Sequence, residues 1–99
     1  MITLARIAQG VPGKLAEFIA LAKEIAALLK SKHGVEAKVI LQHGGPVGRI
    51  CRLTEYKDFA AYEEALSNVL SDPEYHKLLT KLPGLVIPGS ATDSLWRSV

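Results

Sequence analysis

This chain has a single cysteine, one tryptophan and only two phenylalanines among 99 residues. One cysteine excludes an internal disulfide, so the fold must stand on packing, as is usual in a reducing compartment. No apolar run approaches the roughly 18 residues that a membrane span needs. Met1 to Gln9 lacks the charged start and long apolar stretch of a signal peptide, which makes the cytoplasm the expected location. Charge of one sign is lacking too: twelve Lys and Arg oppose ten Asp and Glu, for a formal net charge of +2. That balance is too mild to imply a nucleic-acid partner or an acidic membrane surface.

What is present is a hydrophobic fraction of 48% with charges interspersed, the composition of a folded domain. The length fits one domain over residues 1–99. A domain of this size buries only about 60–65% of the surface its unfolded chain exposes, so its core is thin and pairing with a second copy would add buried area.

Met1 to Gln9, with Ile2, Thr3 and Ile7, reads as a strand ending at Gly10. Pro12 suits the first position of a helix. Leu15, Phe18, Ile19, Ala22, Ile25, Ala26 and Leu29 then recur at the spacing of one helix face. Glu17 near the start and Lys30, Lys32 and His33 near the end complement the helix dipole, and Gly34 closes it. Val35 to His43 and Gly48 to Tyr56 form a hairpin around Gly44-Gly45-Pro46. Asp58 caps a second helix with Phe59, Tyr62, Leu66, Val69 and Leu70 on one side. Ser71-Asp72-Pro73-Glu74 starts a third, whose inner side carries Tyr75, Leu78, Leu79 and Leu82 before Pro83-Gly84 stops it. Ala91 to Val99 reads as a last strand.

The order β-α-β-β-α-(α)-β is the split βαβ pattern of ferredoxin-like α+β folds. It predicts a four-stranded antiparallel sheet with the first and third strands central and the helices on one face. The other face must be polar, bind something, or meet a second sheet.

Several stretches carry a family likeness: Pro12-Gly13-Lys14, Gly44-Gly45 through Gly48, Asp58-Phe59-Ala60-Ala61-Tyr62-Glu63, Ser71-Asp72-Pro73-Glu74-Tyr75, and Pro88-Gly89-Ser90 with Leu95-Trp96-Arg97. In this order the chain resembles the dimeric α+β barrel superfamily, in its NIPSNAP-like and antibiotic-biosynthesis-monooxygenase-like branches. The resemblance implies a homodimer with two sheets face to face and helices outside a shared barrel. It also implies small-molecule pockets in some members, but function varies widely across the superfamily. Haem-degrading relatives use an Asn on the first strand, a Trp on the second helix and a His on the third. Only His76 matches here, which sets haem breakdown aside.

Arg6, Arg49, Arg52 and Arg97 all fall in expected strands. A buried guanidinium needs carboxylate partners or water. They form either an anion or carbonyl clamp in a pocket or, the preferred reading, pairs with Glu36, Glu55 and Asp93. His43-Gly44-Gly45 is similar to an esterase oxyanion loop, but no nucleophile elbow accompanies it, and a hairpin turn explains the glycines. Gly45-Pro46-Val47-Gly48 joins strands rather than the helices joined by the nucleic-acid clamp of the same shape. The central strand from Gly48 to Leu53 lacks the aromatics on which RNA-binding sheets stack bases.

His33, His43, His76 and Cys51 share no metal-ligand spacing, and no cofactor signature is present, so no metal and no cofactor is expected. Cys51 reads as a small buried hydrophobe. His43, His76 and Arg52 are the candidate catalytic residues, because they exchange a proton or stabilise an anion. Arg6, Tyr62 and Trp96 are candidates for pocket or interface, with Trp96 as interface anchor.

The expected function is a small-molecule-binding homodimer that catalyses cofactor-independent oxidation or isomerisation of a small, partly apolar substrate. The alternative is a non-catalytic ligand-sensing or structural interaction module. Convergent polar groups inside an enclosed cavity distinguish the first from the second.

Overall fold

The computed structural model describes all of residues 1–99. Its elements run β1 (Ile2–Gln9), α1 (Leu15–His33), β2 (Ala37–Leu41), β3 (Arg49–Tyr56), α2 (Phe59–Leu70), α3 (Pro73–Leu79) and β4 (Thr92–Arg97). The strands form one four-stranded sheet in the order β2-β3-β1-β4, antiparallel throughout, which is the ferredoxin-like α+β arrangement. No helix is long and apolar enough to cross a membrane.

Successive side chains of a strand point to opposite faces, so the pairing register sorts the sheet. Ile2 and Leu4 of β1 and Ile50 and Thr54 of β3 are buried beneath the helices. Leu21, Ile25 and Leu29 of α1 join Val35, Val69 and Tyr75 in the main core, with Phe18, Ala22 and Ile50 as a second cluster. Only 14 of the 99 residues are buried in the single chain, so the core is as thin as the length predicts.

The opposite face carries Thr3, Ala5, Ile7 and Gln9 of β1, paired with Glu55, Leu53, Cys51 and Arg49 of β3. Ile40 lies beside Cys51 and Trp96 beside Thr3 on this same face. No other element of the chain covers it. Ile40 is 48% exposed and Trp96 65% exposed.

Local chemistry departs from the sequence expectation in three places. Pro12 does not open α1. It sits in a tight turn closed by Lys14 N–H donating to Val11 O at 2.9 Å, with Gly13 at φ 84°, and the helix starts at Leu15. Pro followed by a left-handed Gly is the signature of a type II turn, and that preference overrides the helix start. In α2 the expected inner side is split. Val69 is buried, and Ala65 packs on the core, while Phe59, Leu66 and Leu70 are exposed. The helix is therefore rotated so that small Ala65 makes the close approach. Leu82 lies past the end of α3 at Leu79, although it still packs on the core. The strand limits also tighten, β2 to Ala37–Leu41 and β4 to Thr92–Arg97.

Asp58 caps α2 as expected, accepting from Ala61 N–H at 2.8 Å. Asp72 caps α3, accepting from Glu74 N–H at 2.9 Å with Pro73 just inside. Gly34, at φ 65°, ends α1.

Candidate functional site

A pocket lies between the sheet and the helices, with a cavity volume of about 120 Å³. Its floor is Arg6 and Ala8 of β1 with Ile50 and Arg52 of β3. Phe18, Ala22 and Ile25 of α1 form one wall, Tyr75 and Leu79 of α3 another. Leu82, Val86 and Ala91 of the connection to β4 complete it. That connection is stitched to the end of β1: Val11 N–H donates to Leu85 O and Ile87 N–H to Gln9 O, both at 2.9 Å. Ser90 Oγ accepts from Gln9 N–H at 3.1 Å and donates to Ile87 O at 2.6 Å. The lining is apolar apart from Arg6, Arg52 and Tyr75.

Those polar groups arise from the register. Arg6 stands directly opposite Arg52 on β3 and directly opposite Asp93 on β4, and Val39 flanks Arg52 on the far side. One row across the sheet thus reads Val39, Arg52, Arg6, Asp93, all on the helix-covered face. Arg6 grips Asp93 with a two-point fork, Nε to Oδ1 at 2.7 Å and NH2 to Oδ2 at 2.8 Å. Its NH1 reaches the Tyr75 hydroxyl at 3.5 Å. The Arg6 hydrogen bonds hold the Asp93 carboxyl below the usual carboxylate range, and Asp93 in turn raises the Arg6 guanidinium further.

Arg52 has no such partner. Its Nε is buried without a hydrogen bond. Glu55, an expected partner for these arginines, lies opposite Thr3 on the uncovered face, and Glu36 pairs with Lys30 at 3.6 Å. Of the expected pairings, only that of Arg6 with Asp93 is formed. Like charges placed directly across an antiparallel pair repel, so the row holds one cation in excess. Tyr56, the next residue of β3 on the covered face after Thr54, is pushed up by burial while the Arg52 charge pulls it back down.

His43 lies in the exposed loop after β2, and His76 is an exposed residue of α3 whose Nε2 meets Leu70 O. Neither lines the pocket. Tyr62 is outside it as well, edge-on to Tyr56 at 5.3 Å and to Phe59 at 6.1 Å. Trp96 is on the uncovered face. Cys51 faces the same way, and burial pushes its thiol up, away from the reactive thiolate. The sequence places Tyr75 in a core stripe, and it is indeed 3% exposed, but its hydroxyl also reaches Arg6. A Tyr on an inner stripe facing an expected strand arginine was the available signal. No group of three or more His, Cys, Asp or Glu is placed to hold a metal ion.

No protein-family model matches the chain, and no curated protein matches its sequence. Solved structures do match. An uncharacterized NIPSNAP domain protein from Burkholderia xenovorans superposes with a TM-score of 0.84 at 13% identity, covering 100% of this chain and 95% of that one. A putative antibiotic biosynthesis monooxygenase from Deinococcus radiodurans gives 0.75 at 15% identity, covering 100% and 93%. A point mutant of SnoaB, a cofactor-independent oxygenase from Streptomyces nogalater, gives 0.72 at 17%, covering 98% and 91%. The chain therefore has the ferredoxin-like α+β fold of NIPSNAP family proteins and of the antibiotic-biosynthesis-monooxygenase type.

Proposed function

We propose that this protein captures a small, partly apolar molecule in the pocket between sheet and helices, and that it works as a homodimer joined through the uncovered sheet face. The observation that carries the first part is the Arg52 Nε, buried without a partner at the edge of an apolar pocket. A buried donor left unpaired costs about 1–3 kcal/mol, and a ligand oxygen would recover it. Arg6, pinned by Asp93 and touching Tyr75, is already fixed in position and holds the neighbouring part of the floor.

Two chemistries suit this pocket. A guanidinium in a water-poor site stabilises negative charge developing on a carbonyl oxygen, the requirement for enolate formation in isomerisation or in oxidation without a cofactor. The fold shared with SnoaB agrees with that option. Against it, no histidine lines the pocket, and the carboxylate of Asp93 is engaged by Arg6. Ligand capture, the second, needs no group beyond those already in place, and it is the better supported of the two.

The dimer rests on Ala5, Ile7, Leu53 and Cys51 at the centre of the uncovered face, with Ile40 on one edge strand and Trp96 on the other. A second copy of the same face is the simplest cover, since an isologous contact is self-complementary.

Native mass spectrometry of protein taken directly from its host tests the proposal. The expected result is a dimer mass carrying a retained small molecule, released in Arg52→Met. A bare mass in wild type, together with no binding of any small probe to the pocket, would overturn the capture reading.

A further inference from the structure

Resting on that reading of the pocket, we propose that the ligand is a compact monocarboxylate, with one carboxylate group and an apolar body no larger than a single ring. The same row of side chains supplies both the charge and the geometry. Across the sheet it counts two guanidinium groups, of Arg52 and Arg6, against one carboxylate, of Asp93. A single negative charge completes it. A neutral ligand leaves the like-charge pair uncompensated, and a second carboxylate meets walls that are apolar except for the Tyr75 hydroxyl.

The neighbouring pair shows the mode of recognition. Arg6 meets Asp93 side-on, through Nε and one terminal nitrogen, at 2.7 and 2.8 Å. In Arg52, whose side chain lines the pocket, the Nε of that same edge is buried without a partner. A planar fork matches the two oxygens of a carboxylate, which makes this anion a better fit than a lone alkoxide or a hydroxyl. Asp93 is thus the internal example of what Arg52 is shaped to take.

Size sets the other limit. An apolar cavity of about 150 Å³ holds a benzene ring. At about 120 Å³ the pocket is smaller than that but not closed, so a single ring held partly in its mouth is the most it takes, and fused polycyclic bodies do not fit. The walls offer no hydrogen-bonding group beyond Tyr75 for a hydroxyl-rich body such as a sugar acid.

The test is titration of the full-length protein with benzoate, cyclohexanecarboxylate, benzamide and phthalate, followed by NMR chemical shifts. The same set is run on Arg52→Met and Arg52→Lys, each first checked for an unchanged fold by circular dichroism. Benzoate and cyclohexanecarboxylate are expected to shift resonances of the pocket residues in wild type. Benzamide and phthalate are expected to bind at least about tenfold more weakly. Arg52→Met should lose the preference for benzoate over benzamide, and Arg52→Lys should keep it only in part, since an ammonium has no fork. Benzamide binding as tightly as benzoate, or a preference untouched in Arg52→Met, overturns the monocarboxylate assignment and leaves the pocket itself standing. Failure of all four probes to bind removes both.

Discussion

His33 at the end of α1 holds Asp72 at the start of α3, with Nε2 and Oδ2 separated by 2.7 Å. The same carboxylate accepts from Lys32 Nζ at 2.8 Å and from the Glu74 N–H at 2.9 Å, so each oxygen is used. Its side chain is 2% exposed. The Lys32 and His33 hydrogen bonds hold the Asp72 carboxyl well below the usual carboxylate range.

A carboxylate lowered in the folded state contributes stability that is fully present above its unfolded value, about 4, and is lost as pH falls below that. We expect the acid limb of a pH–stability curve to be flatter in Asp72→Asn than in wild type, with the two curves converging at low pH. Thermal melts by circular dichroism between neutral and strongly acidic pH check this. Parallel curves would show that the carboxylate is not linked to folding.

Arg52→Met is expected to leave the melting temperature unchanged or to raise it. The change removes a buried unpaired donor and a cross-strand repulsion while keeping an apolar stem of similar length. The gain is on the order of 1 kcal/mol or less. Denaturant unfolding measures it. A clear loss of stability would mean that Arg52 has a structural partner in solution.

Asp93→Asn should act in the opposite direction. It halves the fork on Arg6, but both side chains are more than a third exposed, at 35% and 44%, so water takes over much of the lost contact. A loss of about 1 kcal/mol is expected. In a double-mutant cycle with Arg6→Met the two changes should be non-additive, because they break one interaction. Additive losses would mean the pair is not formed.

Trp96→Lys, or Ile40→Lys, places a charge on the uncovered face and is expected to convert a dimer into a monomer by light scattering, with the circular dichroism spectrum unchanged. Trp96 is the sole tryptophan, so its fluorescence reports directly on that face. Dilution of the wild type should shift its emission to longer wavelength as the ring meets water. A monomeric wild type at micromolar concentration would remove the interface.

The elements of the fold were legible because each is fixed by local chemistry. The i, i+3, i+4 stripe of α1, the caps Asp58 and Asp72, and the hairpin glycines name their own conformations. The pocket was not, because it depends on register. Alternation tells that Arg6 and Arg52 lie on strands, but only the pairing places them opposite each other and gives Asp93 to the first alone. His43 and His76 stood out by residue type, while position in space put both outside the pocket. Pro12 misled because the residue suits both a first helical position and a turn, and Gly13 decided for the turn.

Asp93 belongs to an edge strand, for β4 touches the rest of the sheet only along β1. Without that strand, Arg6 and Arg52 face the pocket with no counter-ion from the chain. Docking of β4 therefore neutralises Arg6 and leaves the charge of Arg52 uncompensated, so fraying of this one edge strand would raise the charge excess of the floor from one to two.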